Sequence, residues 1–240
     1  MIIKADLHTH TIASGHAYGT IREMAYAASE KKLELLGISE HAPGIPGTVG
    51  TYYYWNVRKI PRELYGVKIL IGSELNVLPD GTLSMEQKYL DRLDYALVGI
   101  HDLCYEDQGR ERNTDNLIEC MKNDIVSFVS HPDDDKIAVN YERLVKAAKE
   151  YHVALEVNNS SLLEPERRLN CFDNYRKMLK LCMEQGVPII VSSDAHDPSW
   201  VGEWDKAVEL IEECGFDENL ILNTSAEKVL RFIGLEERML

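Results

Sequence analysis

Asp6-Leu7-His8-Thr9-His10 decides the reading of this chain. The apolar run Ile2–Leu7 leads straight into two histidines at i and i+2, and an extended backbone turns both rings to the same side. Two imidazoles at one strand end are a weak signal by themselves. Recurrence makes them informative.

Apolar runs, most of them continuous, return at Leu35–Ser39, Val67–Ser73, Tyr95–Ile100, Ile125–Ser130, Val153–Val157 and Val187–Ser193. Uninterrupted apolar character, rather than alternation, fits strands covered on both faces of a parallel sheet. The positions just beyond these runs are 8, 41, 74, 101, 131, 158 and 194, separated by 33, 33, 27, 30, 27 and 36 residues. A strand–helix–strand unit takes roughly 30 residues. Six of those seven ends carry a potential metal ligand: His8, His41, Glu74, His101, His131 and Asp194; the exception is Asn158.

Helical stripes fill the intervals. Ile21, Met24, Ala25 and Ala28 follow Thr20, an N-cap residue. Leu144, Val145 and Ala148 form another stripe, as do Met178, Leu179 and Cys182 before Gly186. Val208, Ile211 and Cys214 precede Gly215, and a last helix is predicted from Ala226 to Phe232. The long segments Pro43–Gly66, with three prolines and the aromatic run Tyr52–Trp55, and Asp102–Asn123 are predicted either to rim or cover a site or to pack as satellite cores.

The fold expected from this repeat is an α/β barrel, one domain over residues 1–240, with its chemistry at the C-terminal ends of the strands. There the repeat gathers His8, His10, His16, His41, Glu74, His101, His131, Asp194 and His196. Asp194 and His196 stand at i and i+2, as His8 and His10 do. A buried carboxylate such as Glu74 is costly without a compensating cation. Nine imidazole and carboxylate groups exceed the three or four protein ligands one zinc takes and suit a cluster of three ions. The donor types fit zinc, manganese or iron. His152, the eighth histidine, precedes its strand and is expected at the opposite end as an ordinary packed residue.

The chain holds 26 basic and 40 acidic residues, a net charge of −14, so its surface disfavours long nucleic acids. Bound cations would supply the positive field an anionic substrate needs. Five scattered cysteines form no CxxC pair and indicate neither a disulfide framework nor a thiolate zinc site. Without a long apolar stretch or a signal-like start, the expected location is cytoplasmic, away from membranes.

In order along the chain, Asp6-Leu7-His8-Thr9-His10, Ser14-Gly15-His16, Ser39-Glu40-His41, Gly72-Ser73-Glu74, His101, Ser130-His131-Pro132 and Ser192-Ser193-Asp194-Ala195-His196 resemble the motifs of the PHP (polymerase and histidinol phosphatase) superfamily. The likeness covers nearly the whole chain and is nearest to stand-alone phosphatases of the YcdX type. It implies a distorted (β/α)7 TIM-like barrel, the PHP fold, with three divalent metal ions, zinc foremost. His8, His10, Glu74 and Asp194 would hold one ion, with Glu74 bridging to a second on His101 and His131, and His16, His41 and His196 would hold the third. The expected activity is hydrolysis of small phosphorylated metabolites, with Asp194 handling the proton and His196 beside it. A phosphodiesterase or oligonucleotide exonuclease on the same site is the nearest alternative. A barrel amidohydrolase is the other; those enzymes often carry a carboxylated lysine at a strand end, and no strand end here has a lysine. Asp6 and Glu40 read as carboxylates that orient imidazoles, and Arg22, Arg58 and Arg110 as candidate phosphate contacts.

Overall fold

The computed structural model describes residues 1–236; residues 237–240 of the expected domain lie outside the described residues. Seven parallel strands form a nearly closed barrel: β1 (Ala5–Asp6), β2 (Leu35–His41), β4 (Val67–Asn76), β5 (Ala96–Gly99), β6 (Val126–Val129), β7 (Ala154–Asn158) and β8 (Ile189–Ser192), hydrogen-bonded in that order. An eighth strand, β3 (Glu63–Leu64), folds back antiparallel on β4. Tyr65 and Gly66 between them both have positive φ, 54° and 78°, as a two-residue hairpin turn requires.

Helices alternate with the strands: α1 (Ile21–Glu30), α2 (Tyr52–Trp55), α3 (Gln87–Leu90), α4 (Arg110–Met121), α5 (Tyr141–Tyr151), α6 (Asn159–Leu163), α7 (Cys171–Gln185), α8 (Asp205–Glu213) and α9 (Ala226–Phe232). The Thr20 cap is present as a reciprocal capping box with Glu23. Gly186 ends α7 at φ 67°. In α8 the buried stripe is Ala207, Leu210 and Ile211; Val208 is only half-buried, one position off the predicted face.

Strands β2 and β4 outrun their apolar stretches because their ladder continues to His41 opposite Glu74. β1 is shorter than its apolar run, since only Ala5 and Asp6 find ladder partners, Leu35 and Leu36. The seam between β1 and β8 is closed by a Thr9–Ala195 bridge and by the buried Asn223 side chain. Its amide donates to the Ala5 and Val191 carbonyls and accepts from the Val191 amide. The nearby segment around Ile221 makes only a single bridge to Ile189.

Two cores result. Leu7, Leu35, Leu70, Tyr95, Leu97, Phe128 and Ile190 fill the barrel, and Val229 and Leu230 of α9 pack with them. A larger shell joins barrel to helices. Gly37 and Gly72 make room for Tyr95, since a methyl at either would lie within 2.6 Å of its ring or hydroxyl. Tyr95 in turn donates to the Leu7 carbonyl, beneath the paired histidines. His152 caps α5 at the far end, stacked on Phe232. Among the described residues no helix is long and apolar enough to cross a membrane.

Candidate metal centre

All nine residues of the predicted set meet at the C-terminal mouth. Glu74, fully buried, is the hub. Its Oε1 lies 2.6 Å from His131 Nε2 and 3.1 Å from His101 Nε2; its Oε2 lies 2.8 Å from His41 Nδ1, 3.4 Å from His8 Nε2 and 3.7 Å from His10 Nε2. Asp194 Oδ1 is 3.2 Å from His10 Nε2 and 3.5 Å from His8 Nε2. His16 and His196 face each other through their Nε2 atoms at 3.1 Å, and their rings flank His41.

Two histidines have their tautomers set from behind. His8 Nδ1 donates to Glu156 Oε1 at 2.7 Å. His10 Nδ1 donates to Ser14 Oγ at 3.0 Å, and Ser14 donates onward to Glu40 at 2.6 Å. Each ring therefore presents an Nε2 lone pair to the carboxylates of Glu74 and Asp194, an unfavourable facing of acceptors unless a cation or proton lies between. Ten buried side-chain polar atoms have no hydrogen-bond partner among the described residues. Six of them belong to the predicted ligands: His8 Nε2, His10 Nε2, His41 Nδ1, Glu74 Oε2, His101 Nδ1 and Asp194 Oδ1. Such orphans are rare in proteins, and their concentration here is what divalent cations would satisfy. Four overlapping donor triplets, among them His8–His10–Glu74 and His41–Glu74–His101, have ligand atoms within 4.8 Å of one another.

The electrostatics agree. Burial would raise Glu74, but the imidazoles of His101, His8, His41 and His131 hold its carboxyl well below the usual range. Asp194 is likewise held well below its ordinary value: burial is overcome by the adjacent imidazoles of His8, His10 and His196. His10 is pushed well down by burial and by the neighbouring His41, and His131 is lowered by burial and Arg168. Neutral imidazole is the form that binds a metal. His8 is raised; burial opposes this, yet Asp194, Glu156 and Glu74 together prevail.

Backbone strain marks the same place. His131 and Asp194 adopt φ of 28° and 55°. An imidazole in that region is held there at a cost. The His131 amide is pinned to Glu156 Oε2 at 2.6 Å, and the turn bearing Asp194 is tied by Ser193 to Asp6.

The supporting groups differ from expectation. Asp6 touches no imidazole in these hydrogen bonds; it accepts from Ser193 and from the Gly202 amide and braces the Asp194 turn, with burial pushing its carboxyl up to about 6. Glu40 acts on His10 only through Ser14. The carboxylate directly on an imidazole is Glu156, which the sequence reading missed. Its signal was a lone charge inside the apolar run Val153–Val157, where an unpartnered carboxylate cannot be left. Strand β7 thus supplies its acid two residues before Asn158. Tyr54, from the aromatic run, is buried beneath the site and donates to backbone carbonyls of Glu40 and His41. No cysteine joins a donor group among the described residues.

None of the three candidate arginines is seen against the predicted ligands among the described residues. Arg58 donates to the Asp91 carbonyl, and Arg22 lines an outer hollow with Tyr52 and Ile60. Arg110 opens α4 and is absent from the lining of the hollow at the centre. Arg168 is the one beside the metal set, its Nη1 3.4 Å from His131 Nδ1. It lines a cavity of about 330 Å³ that adjoins His101 and His131.

A parallel barrel whose strand tips converge on such a set of imidazoles and carboxylates defines a hydrolytic enzyme. This chain belongs to the PHP domain family, whose signature matches residues 6–160. It is 40% identical over 229 residues to a "Probable phosphatase" of Acetivibrio thermocellus, covering 95% of this chain and 94% of that one. Among solved structures it resembles the histidinol phosphate phosphatase of Lactococcus lactis, determined with zinc, L-histidinol and phosphate (TM-score 0.58, 15% identity, 90% of this chain and 95% of that one). It also resembles a candidate histidinol phosphatase of Listeria monocytogenes (TM-score 0.64, 18% identity, 83% and 98%). At these identities the structural likeness speaks to the fold.

Proposed function

We propose that the chain is a metal-dependent phosphoesterase, and more finely a phosphatase of small phosphomonoesters that works with three divalent cations. The carrying observation is the set of partnerless buried atoms that face one another across the mouth: His8 Nε2, His10 Nε2, His41 Nδ1, Glu74 Oε2 and Asp194 Oδ1. His8, His10, Glu74 and Asp194 would hold one cation, Glu74, His101 and His131 a second, and His16, His41 and His196 a third. Zinc, the ion in the Lactococcus neighbour, is the first choice for this donor set, with manganese and iron as alternatives. Such ions supply acidified water, its pKa brought to about 7, and positive charge for the phosphoryl oxygens.

The chain's own residues do the rest. Glu156 and the Ser14–Glu40 pair keep the Nδ1 protons on His8 and His10, so that both rings offer Nε2 to the mouth. Arg168, a pure donor beside His131, receives a phosphoryl oxygen. Asp194, whose Oδ2 is steadied by Asn158 while Oδ1 has no partner, takes the proton of the attacking water and returns it to the leaving alkoxide. His196, whose side chain is 30% exposed, borders Asp194 on the open side and completes the catalytic pair.

Hydrolysis of p-nitrophenyl phosphate, measured against its bis ester, tests the reading. The monoester should be preferred. Chelation should abolish turnover, zinc or manganese should restore it, and His10→Ala and Asp194→Ala should depress it steeply. Undiminished turnover by chelated, metal-free protein refutes the proposal.

A further inference from the structure

The cavity beside His101 and His131 has a graded lining. At its inner end stands Ser130, 1% exposed, whose Oγ is buried without a hydrogen-bond partner among the described residues. Gly99 clears the space: a methyl there would lie 2.3 Å from Ser130 Oγ and within 3.3 Å of both imidazoles. Arg168 lies next, 25% exposed, 4.0 Å from the buried Asp133, which Tyr175 and Ser161 hydrogen-bond in turn. Leu117, Ile137 and Val139 give an apolar wall, and Lys136 and Arg167 line the outer part.

Three cations around one hollow run against a chain with 40 acidic and 26 basic residues. Two acidic residues also line it: Asp102, and Asp134, whose Oδ1 accepts from the backbone amides of Lys136 and Leu169. The outer cations remain open to a ligand. Among the described residues Arg167 is paired only with exposed Glu164, an ion pair of the kind worth about 1 kcal/mol or less. Lys136 gives one proton to the Arg167 carbonyl and has two left. At about 330 Å³ the cavity sits at the small end of ligand pockets, which run from about 300 to 1,000 Å³.

We infer that this cavity is the leaving-group subsite and that it selects phosphomonoesters whose alcohol carries a second anionic group on a short apolar body. The inference rests on the phosphatase reading above. The scissile phosphate lies at the metal ligands and Arg168, the body lies along Leu117 and Val139, and the far anion meets Lys136 and Arg167. Carboxylate and phosphate share the required chemistry.

Calorimetric binding of non-hydrolysable phosphonates to zinc-loaded protein separates the possibilities. The probes are butylphosphonate, 4-phosphonobutyrate and propane-1,3-diphosphonate. One or both of the doubly acidic probes should bind about fivefold tighter than butylphosphonate, with the advantage shrinking as salt rises. The tighter of the two names the second anion. In the Lys136→Met/Arg167→Met double variant, checked for an unchanged melting profile, the advantage should fall below about twofold. Equal affinity for all three probes in the wild type, or an advantage that survives the double substitution, overturns the inference. If none of the probes binds and p-nitrophenyl phosphate is not hydrolysed, the phosphatase reading itself has failed.

Discussion

Replacing Glu156 by glutamine keeps its volume and removes one charge at a point no solvent reaches. The carboxylate accepts four hydrogen bonds: from His8 Nδ1 at 2.7 Å, the His131 amide at 2.6 Å, Asn158 Nδ2 at 3.2 Å and the Ser192 hydroxyl. Glutamine has one acceptor oxygen, and its NH2 must turn toward two of those donors. At about 1–3 kcal/mol for each buried group left unpaired, two lost contacts destabilise the fold by roughly 2–6 kcal/mol. The same change frees His8 to take the other tautomer and loosens the strained His131 backbone. Carboxylates that support metal-bound histidines typically carry about 10- to 100-fold in metal affinity or activity. Urea unfolding, zinc titration of chelated protein and kcat/KM on p-nitrophenyl phosphate measure these effects. A variant that stays within twofold of wild type in zinc affinity and kcat/KM refutes the role assigned to Glu156.

Gly99→Ala should drive a methyl into Ser130 and the two flanking imidazoles. Activity should collapse while circular dichroism keeps the barrel signature; wild-type kcat would contradict the crowding. Asn223→Ala removes three hydrogen bonds across the β1–β8 seam and should cost roughly 2–5 kcal/mol, read as a lower urea midpoint. An unchanged midpoint would show that the Thr9–Ala195 bridge alone closes the barrel. Burial pushes Asp133 up to about 7 from an ordinary 3.8, against the pull of Arg168. Between those values the folded chain keeps a proton that the unfolded chain has released. Stability from this group therefore falls as pH rises through the window, and the penalty is complete above about 7. In chelated protein Asp133→Asn should flatten that dependence and gain up to about 4 kcal/mol at pH 8; an unaltered pH profile would rule it out.

The strand ends were legible because the candidate ligands and the fold share one period. His8, His41, Glu74, His101, His131 and Asp194 recur with the strand–helix unit, and the parallel barrel brings their tips together. Helix α1 was legible from its cap and stripe. Glu156 escaped notice because it lies inside a strand, where the eye follows hydrophobicity and the end of the run. Asn223 was invisible for a different reason: it substitutes a side-chain amide for a missing ladder, which no periodicity announces. Arg168 sits on a loop between α6 and α7, so only the folded path shows that it reaches His131 rather than solvent. The segment Pro43–Gly66 read as either rim or satellite core, and Tyr54 shows that it packs as core beneath the site while Tyr52 stays exposed.

Metal content decides the central claim most directly. Elemental analysis of purified, zinc-reconstituted protein should give three equivalents per chain, with hydrolysis lost and regained in step with the metal. Fewer than two equivalents, or phosphatase activity independent of them, would contradict a centre built on His8, His10, His16, His41, Glu74, His101, His131, Asp194 and His196.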